Sequence, residues 1–328
     1  MAGSGGTHGP SVRLTRVPGK SPKMPSSAPR NTADSTGRLM LVAVSLAWGL
    51  TWPALKLALD GIPPFSMRLG TSGLATIVLF TLAFLQGRSM RLRSLRAGLH
   101  LIVAGCLNVA CFTLFSAFAQ LATATSRVTV LAYTMPIWAA LLAHPILGER
   151  ITPIRAMALA LCAAGLSVLV YPLIGSGDVI GVVLALATAV AWAGGTVYLK
   201  WAQVDADPIA ITAWQIVVAL VPTFAGVLLV EGSPHLWPAD ALALGALVFA
   251  SLAGSAFAYL LWFEVLKRVP AMTASLGVLS VPVIGIVASI LVLEERLTMA
   301  DVIGSALTLA AASCVLLAPG SRRSKQEP

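Results

Sequence analysis

The chain has 328 residues, 57% of them hydrophobic and only 11% charged, and its mean hydropathy is +0.87. Soluble domains carry about 25% charged residues, so a chain this poor in charge cannot cover a water-facing surface of its size; the solvent it fits is lipid. The formal net charge of +9 sits mostly in the tails and in short loops between apolar runs, the pattern that membrane insertion reads, and with no nucleic-acid motif beside it the charge does not argue for a nucleic-acid partner.

Residues 1–37 are rich in Gly, Ser, Pro and Thr and read as a disordered cytoplasmic tail. No apolar stretch precedes Leu39, so the first hydrophobic segment is expected to stay as an anchor and not to be a cleaved signal. Apolar runs then follow at 38–58, 65–86, 98–119, 126–147, 153–172, 179–200, 208–230, 241–263, 272–293 and 299–317. Each has the roughly 20 residues a helix needs to cross the hydrocarbon core. The predicted fold class is therefore all-α integral membrane with ten transmembrane helices. A β-barrel would show segments of alternating polarity instead. Residues 319–328 read as a second tail. With the N-terminus in the cytoplasm, every Lys and Arg lies on the inner side except Lys56, Arg68, Arg127 and Arg296, and the loop from Arg88 to Arg96 is the densest inner cluster. Ten spans put the C-terminus in the cytoplasm too, and the cell (inner) membrane is the expected location.

The chain resembles itself. Ala47-Trp48 matches Ala191-Trp192; the spacing between the two tryptophans also separates Lys56 from Lys200 and Pro64 from Pro208. Pro136-Ile137 matches Pro282-Val283, and Gly148-Glu149-Arg150-Ile151-Thr152 matches Glu294-Glu295-Arg296-Leu297-Thr298 at one shared spacing. Residues 38–172 and 173–318 then form two repeats of five spans. Five is odd, so the second copy enters the membrane from the opposite side, the inverted design found in many secondary transporters, in which access to a central site alternates between the two faces.

These residues also carry a family resemblance. The segment Ser45-Leu-Ala-Trp-Gly-Leu-Thr-Trp-Pro-Ala-Leu-Lys56 is similar to the first span of EamA-type proteins of the drug/metabolite transporter superfamily. Tyr133-Thr-Met-Pro-Ile-Trp138 with Gly148-Glu-Arg150 resembles the fourth span and its exit, and Gly254 to Phe263, Val281-Pro282 and Glu295-Arg296-Leu-Thr298 resemble the eighth and ninth spans. The resemblance covers roughly residues 38–318. It implies a ten-helix bundle of two inverted five-helix repeats that exports small metabolites or amphipathic compounds, often amino acids. It names no cofactor.

Charges inside a bilayer are costly and mark candidate sites. Lys56, Arg68 and Arg127 fall near the outer ends of their spans against the positive-inside trend, and together they would attract an anionic group such as a carboxylate; snorkelling to the interface is the competing explanation, and Asp60 stands one turn from Lys56 as a partner. Trp48, Trp192, Tyr133, Trp214 and Tyr259 are amphipathic residues within spans and are candidates to line a central cavity, with Trp48 and Trp192 the best pair. Trp52, Trp138, Gln215 and Trp262 belong to the same set, and Asn108 would bond substrate or join two helices. Pro136 and Pro282 break the helical ladder and are candidate hinges or static kinks. Glu149-Arg150 and Glu295-Arg296 are expected to be caps and structural ion pairs, Glu264 an interfacial partner of Lys267, and His144 a packed histidine. Cys106, Cys111, Cys162 and Cys314 lie in apolar runs without CxxC spacing and read as packing residues, not metal ligands.

An integral membrane enzyme that modifies a lipid or small molecule is the alternative function. It would need clustered His, Asp or Glu at one face, whereas His8, His100, His144 and His235 are scattered and Asp205 and Asp207 form the only acidic loop doublet. There is no GxxxxGK[ST] segment to bind ATP, and no ring of charge or filter loop of the kind channels use.

Overall fold

The computed structural model describes residues 35–149, 151–174, 179–236, 240–258 and 280–317, together with Gly3, Gly5, Leu261, Val265, Arg268 and Val278. Among these residues all regular structure is helical. Seven helices are long and apolar enough to cross a membrane: α1 (Ser35–Gly61), α2 (Pro64–Leu85), α3 (Leu95–Ala122), α4 (Thr125–Leu147), α5 (Pro153–Leu173), α6 (Val179–Ala202) and α7 (Pro208–Glu231). Shorter apolar helices follow as α8 (Ala241–Ser251), α9 (Ser280–Leu293) and α10 (Met299–Leu317).

The helix starts have local causes. Proline opens α2, α5 and α7, where its missing N–H is not needed. Ser94, Thr152, Asp207 and Asp240 cap α3, α5, α7 and α8 by accepting from the first-turn amides of Ala97, Arg155, Ile209 and Ala243. Three π-turns occur among the described residues. One interrupts α3 at Cys106–Cys111, another follows α8 at Leu252–Phe257, and a third ends α7 at Val227–Glu231. The turns at Cys106–Cys111 and Leu252–Phe257 stand at the separation that relates Glu149 to Glu295. α4 is also not continuous: its backbone breaks at Tyr133-Thr134, and Pro136 occupies the first turn of the helix that restarts at Met135, not a mid-helix position.

The polarity of the bundle is inverted relative to a soluble protein. Large apolar side chains point outward, with Leu229 85% and Phe84 83% exposed, while Ser45, Thr129, Thr188, Gln120 and Thr223 are buried. Thr129, Thr188 and Thr223 hand their hydroxyl protons to the carbonyl one turn back, so these three hydroxyls are satisfied within their own helices. Such a surface belongs in lipid, and the chain is a multi-pass α-helical membrane protein.

Small residues set the helix spacing. α1 packs on α8 and α9; α6 packs on α3 and α4; α2 lies along α7 and α5 along α10. At the α5–α10 crossing, a Cβ on Gly165 would lie 2.9 Å from the Gly304 carbonyl oxygen and from Thr308 Cγ2, so backbone meets backbone as in small-residue crossings generally. Gly165→Val is therefore expected to separate α5 from α10 at a cost of about 1–3 kcal/mol, read as a lower unfolding midpoint in detergent; an unchanged midpoint would refute this close contact.

Ion pairs tie the helix ends together. At the end where α4 stops, Glu149 Oε2 accepts from Arg155 at 3.2 Å and Oε1 accepts from Lys200 at 2.8 Å. The Lys200 hydrogen bond holds the Glu149 carboxyl below the usual carboxylate range against the opposing effect of burial, and the Lys200 charge and the Arg155 contact add to the lowering. Arg88 meets Asp207 at 3.2 Å and Arg93 meets Asp205. His144 Nδ1 is 2.6 Å from the Glu149 carbonyl oxygen, a hydrogen-bonded position. At the other end Glu295 receives the Thr125 and Ser126 amides at 2.6 and 2.9 Å, and Glu231 receives those of Phe65 and Ser66 at 2.8 and 2.9 Å. Each carboxylate thus caps a neighbouring helix N-terminus, where the dipole favours negative charge. Arg150, Glu264 and Lys267 lie outside the described residues.

Candidate functional site: a central cavity with one buried cation

A cavity of about 680 Å³ lies between the helices, walled by residues of α1–α4 and of α6–α8. Helical periodicity builds each wall. Trp48, Trp52 and Leu55 fall on one face of α1; Arg68, Ser72 and Ala75 on one face of α2; Asn108, Phe112 and Ser116 on one face of α3. α6 adds Trp192 and Thr196, and α7 adds Thr212 and Gln215.

Two of the π-turns shape the middle of the site. Asn108 stands within Cys106–Cys111 and Gly254 within Leu252–Phe257, a placement common for π-turns at functional sites. The Trp48 indole N–H donates to the Gly254 carbonyl at 3.1 Å. Asn108 Nδ2 donates to Gln215 Oε1 at 2.9 Å, and Thr196 Oγ1 donates to Asn108 Oδ1 at 3.4 Å. Trp52 meets Phe112 and Tyr133 edge-on, with ring centres 6.5 and 6.4 Å apart. These contacts hold the aromatic wall in fixed geometry.

Arg68 is the charged residue of the described lining. It is only 4% exposed, although it belongs to the first turns of α2. Its Nη2 donates to Ser116 Oγ at 2.9 Å, while its Nε has no hydrogen-bond partner.

Seven of the residues singled out from the sequence, Trp48, Trp52, Arg68, Asn108, Tyr133, Trp192 and Gln215, therefore line one cavity, and Pro136 lines it too. The grouping of Lys56, Arg68 and Arg127 is not what the structure shows. Lys56 pairs with Asp60 at 2.5 Å, and Arg127 makes a two-point pair with Asp301 at 2.5 and 3.1 Å, so both charges are spent away from the cavity. Trp214 is also elsewhere: its N–H donates to the Met90 carbonyl at 2.9 Å and its ring packs on Phe80. Pro282 is buried within α9 and is not among the lining residues. Tyr259 and Trp262 lie outside the described residues. The hydroxyls of Ser72, Ser116, Thr196 and Thr212 were not singled out; their signal is a spacing of one turn from Arg68, Trp192 and Gln215 for Ser72, Thr196 and Thr212, and of two turns from Asn108 for Ser116. No group of three His, Cys, Asp or Glu side chains suited to a metal occurs among the described residues.

Comparison with known proteins agrees with this architecture. An uncharacterised transporter of Bacillus subtilis strain 168, YoaV, is 25% identical over 276 residues, covering 82% of this chain and 92% of its own. A probable amino-acid metabolite efflux pump of Escherichia coli K12 is 24% identical over 287 residues, covering 83% and 91%. A crystal structure with 23% identity superposes with a TM-score of 0.59 over 86% of this chain and 96% of the other, a likeness of fold alone. The model of the EamA-like transporter family matches residues 35–171 and again residues 179–317. The chain belongs to the EamA-like transporter family.

Proposed function

We propose that the protein is a secondary active exporter of small metabolites or amphipathic compounds such as amino acids, working by alternating access. The observation that carries this reading is the cavity itself: it draws on both family-matched stretches and presents Trp48 from one and Trp192 from the other. In this reading ten transmembrane helices form two inverted five-helix repeats, 38–172 and 173–318. The packing of α1 on α8 and α9, against that of α6 on α3 and α4, favours it, because an inverted pair exchanges those partners. So does the separation of the π-turns at Cys106–Cys111 and Leu252–Phe257, which matches that of Glu149 and Glu295. Trp48, Arg68, Asn108, Tyr133 and Trp192 are the proposed substrate contacts, and these two π-turns with Pro136 and Pro282 are the proposed flexing points. The basic residues from Arg88 to Arg96 support cytoplasmic termini in a cell inner membrane. The name of the Escherichia coli relative supports amino-acid-like cargo and outward direction.

The test is mass spectrometry of the culture medium from cells expressing the intact protein or Trp48→Ala at matched membrane levels. Trp48→Ala removes ring area and frees the Gly254 carbonyl, and is expected to cut export at least tenfold. One class of small molecule should accumulate outside only with the intact protein. Identical media would refute constitutive export.

A further inference from the structure

We infer that the cavity recognises its solute through a carboxylate held by Arg68, with the apolar body of the solute against Trp48, Trp52 and Trp192. The inference rests on the transporter reading above and narrows the cargo to amphipathic carboxylates. An arginine keeps its charge in any protein setting, and a buried charge without a counter-ion is costly. Arg68 is buried in the cavity wall with one hydrogen bond, to Ser116, and an unpartnered Nε. No carboxylate among the described residues pairs with it. Glu231, which caps the same helix, has Oε1 occupied by the Phe65 amide and Oε2 by the Ser66 amide and hydroxyl. Asp60 is taken by Lys56 and Asp301 by Arg127.

The free side of a guanidinium is a planar donor fork that matches a carboxylate in two-point geometry. Ser72 lies one turn further along the same wall, and Ser116 faces it from α3, so hydroxyls flank the place where the anion would sit. The remaining described wall mixes aromatic rings with aliphatic side chains and threonine hydroxyls, so it offers apolar surface and neutral polar groups but no second charge. Asn108 and Gln215 supply a neutral polar pole. A solute anion would complete what the protein leaves open: one buried positive charge and an unfilled donor.

The experiment is a titration of the purified full-length protein, followed by tryptophan fluorescence, with 3-phenylpropionate, its methyl ester and phenethylamine. The acid is expected to bind at least tenfold more tightly than either analogue. Arg68→Gln should weaken the acid by roughly 10- to 100-fold, as charge-assisted hydrogen bonds do, and leave the ester unchanged; Arg68→Lys should keep part of the preference. An acid that binds no better than its ester, or an Arg68→Gln variant that weakens acid and ester alike, overturns the inference. If Arg68→Gln does not fold, the comparison of acid, ester and amine on the unaltered protein decides. Proteoliposome counterflow separates the two claims. Acid-selective binding without counterflow would keep the carboxylate site and remove the transporter; counterflow of phenethylamine in preference to the acid would do the reverse.

Discussion

Removing the Asp301 carboxylate is expected to destabilise the protein by about 3 kcal/mol, toward the low end for a broken buried pair because Arg127 keeps some exposure. Asp301 is 3% exposed and joins the start of α10 to α4 through two contacts with Arg127, while Oδ2 also receives the Thr298 amide and hydroxyl at 2.8 and 2.7 Å. Asp301→Ala removes both of these contacts from Arg127 and leaves the first turn of α10 without its acceptor. The loss should appear as a lower unfolding midpoint in detergent. Arg127→Leu combined with Asp301→Leu should recover part of it, because the arginine is then no longer held beside a missing carboxylate. An Asp301→Ala protein as stable as the original would mean that the pair contributes nothing.

Gly195→Val is expected to abolish export while leaving the protein in the membrane. A Cβ at Gly195 would come within 2.3 Å of Asn108 Oδ1 and 2.9 Å of the Asn108 backbone nitrogen. The side chain of Asn108 cannot simply turn aside, because it is bonded to Gln215 and Thr196. α6 would be driven off the π-turn of α3 and the cavity wall would shift with it. Gly254→Val is expected to be milder: its nearest contacts are the Thr51 hydroxyl at 2.8 Å and methyl at 3.0 Å, side-chain atoms only, whereas Gly195 also faces the Asn108 backbone. Comparing the two variants in the medium assay, with membrane levels matched, checks the order. Full export by Gly195→Val would show that this contact does not shape the site.

Hydropathy located the helices because lipid imposes length and apolarity on every span, and prolines 64, 153 and 208 marked three starts within a residue or two. The interruptions were less legible. Cys-Leu-Asn-Val-Ala-Cys carries no proline or glycine, so nothing local announces the π-turn in α3; it is stabilised by neighbours such as Gln215 and Gly195. The break lies at Tyr133-Thr134, on the N-terminal side of Pro136; a proline signals disrupted bonding without saying on which side the helix restarts. The candidate anion cluster of Lys56, Arg68 and Arg127 dispersed for a similar reason. Span position placed all three near one end of the bundle, but the partner of Arg127 is 174 residues away in the chain, and only the packing of α4 beside α10 brings it close. Arg68 was legible as a costly charge, but not as the one facing the cavity.

The most direct measurement is labelling of Ser72→Cys, with Cys106, Cys111, Cys162 and Cys314 replaced by alanine, using a membrane-impermeant thiol reagent applied to right-side-out and then to inside-out vesicles. Ser72 lines the cavity, so alternating access predicts modification from both faces in vesicles that remain impermeable to the reagent. Modification from one face only would describe a fixed pocket and contradict the transporter account.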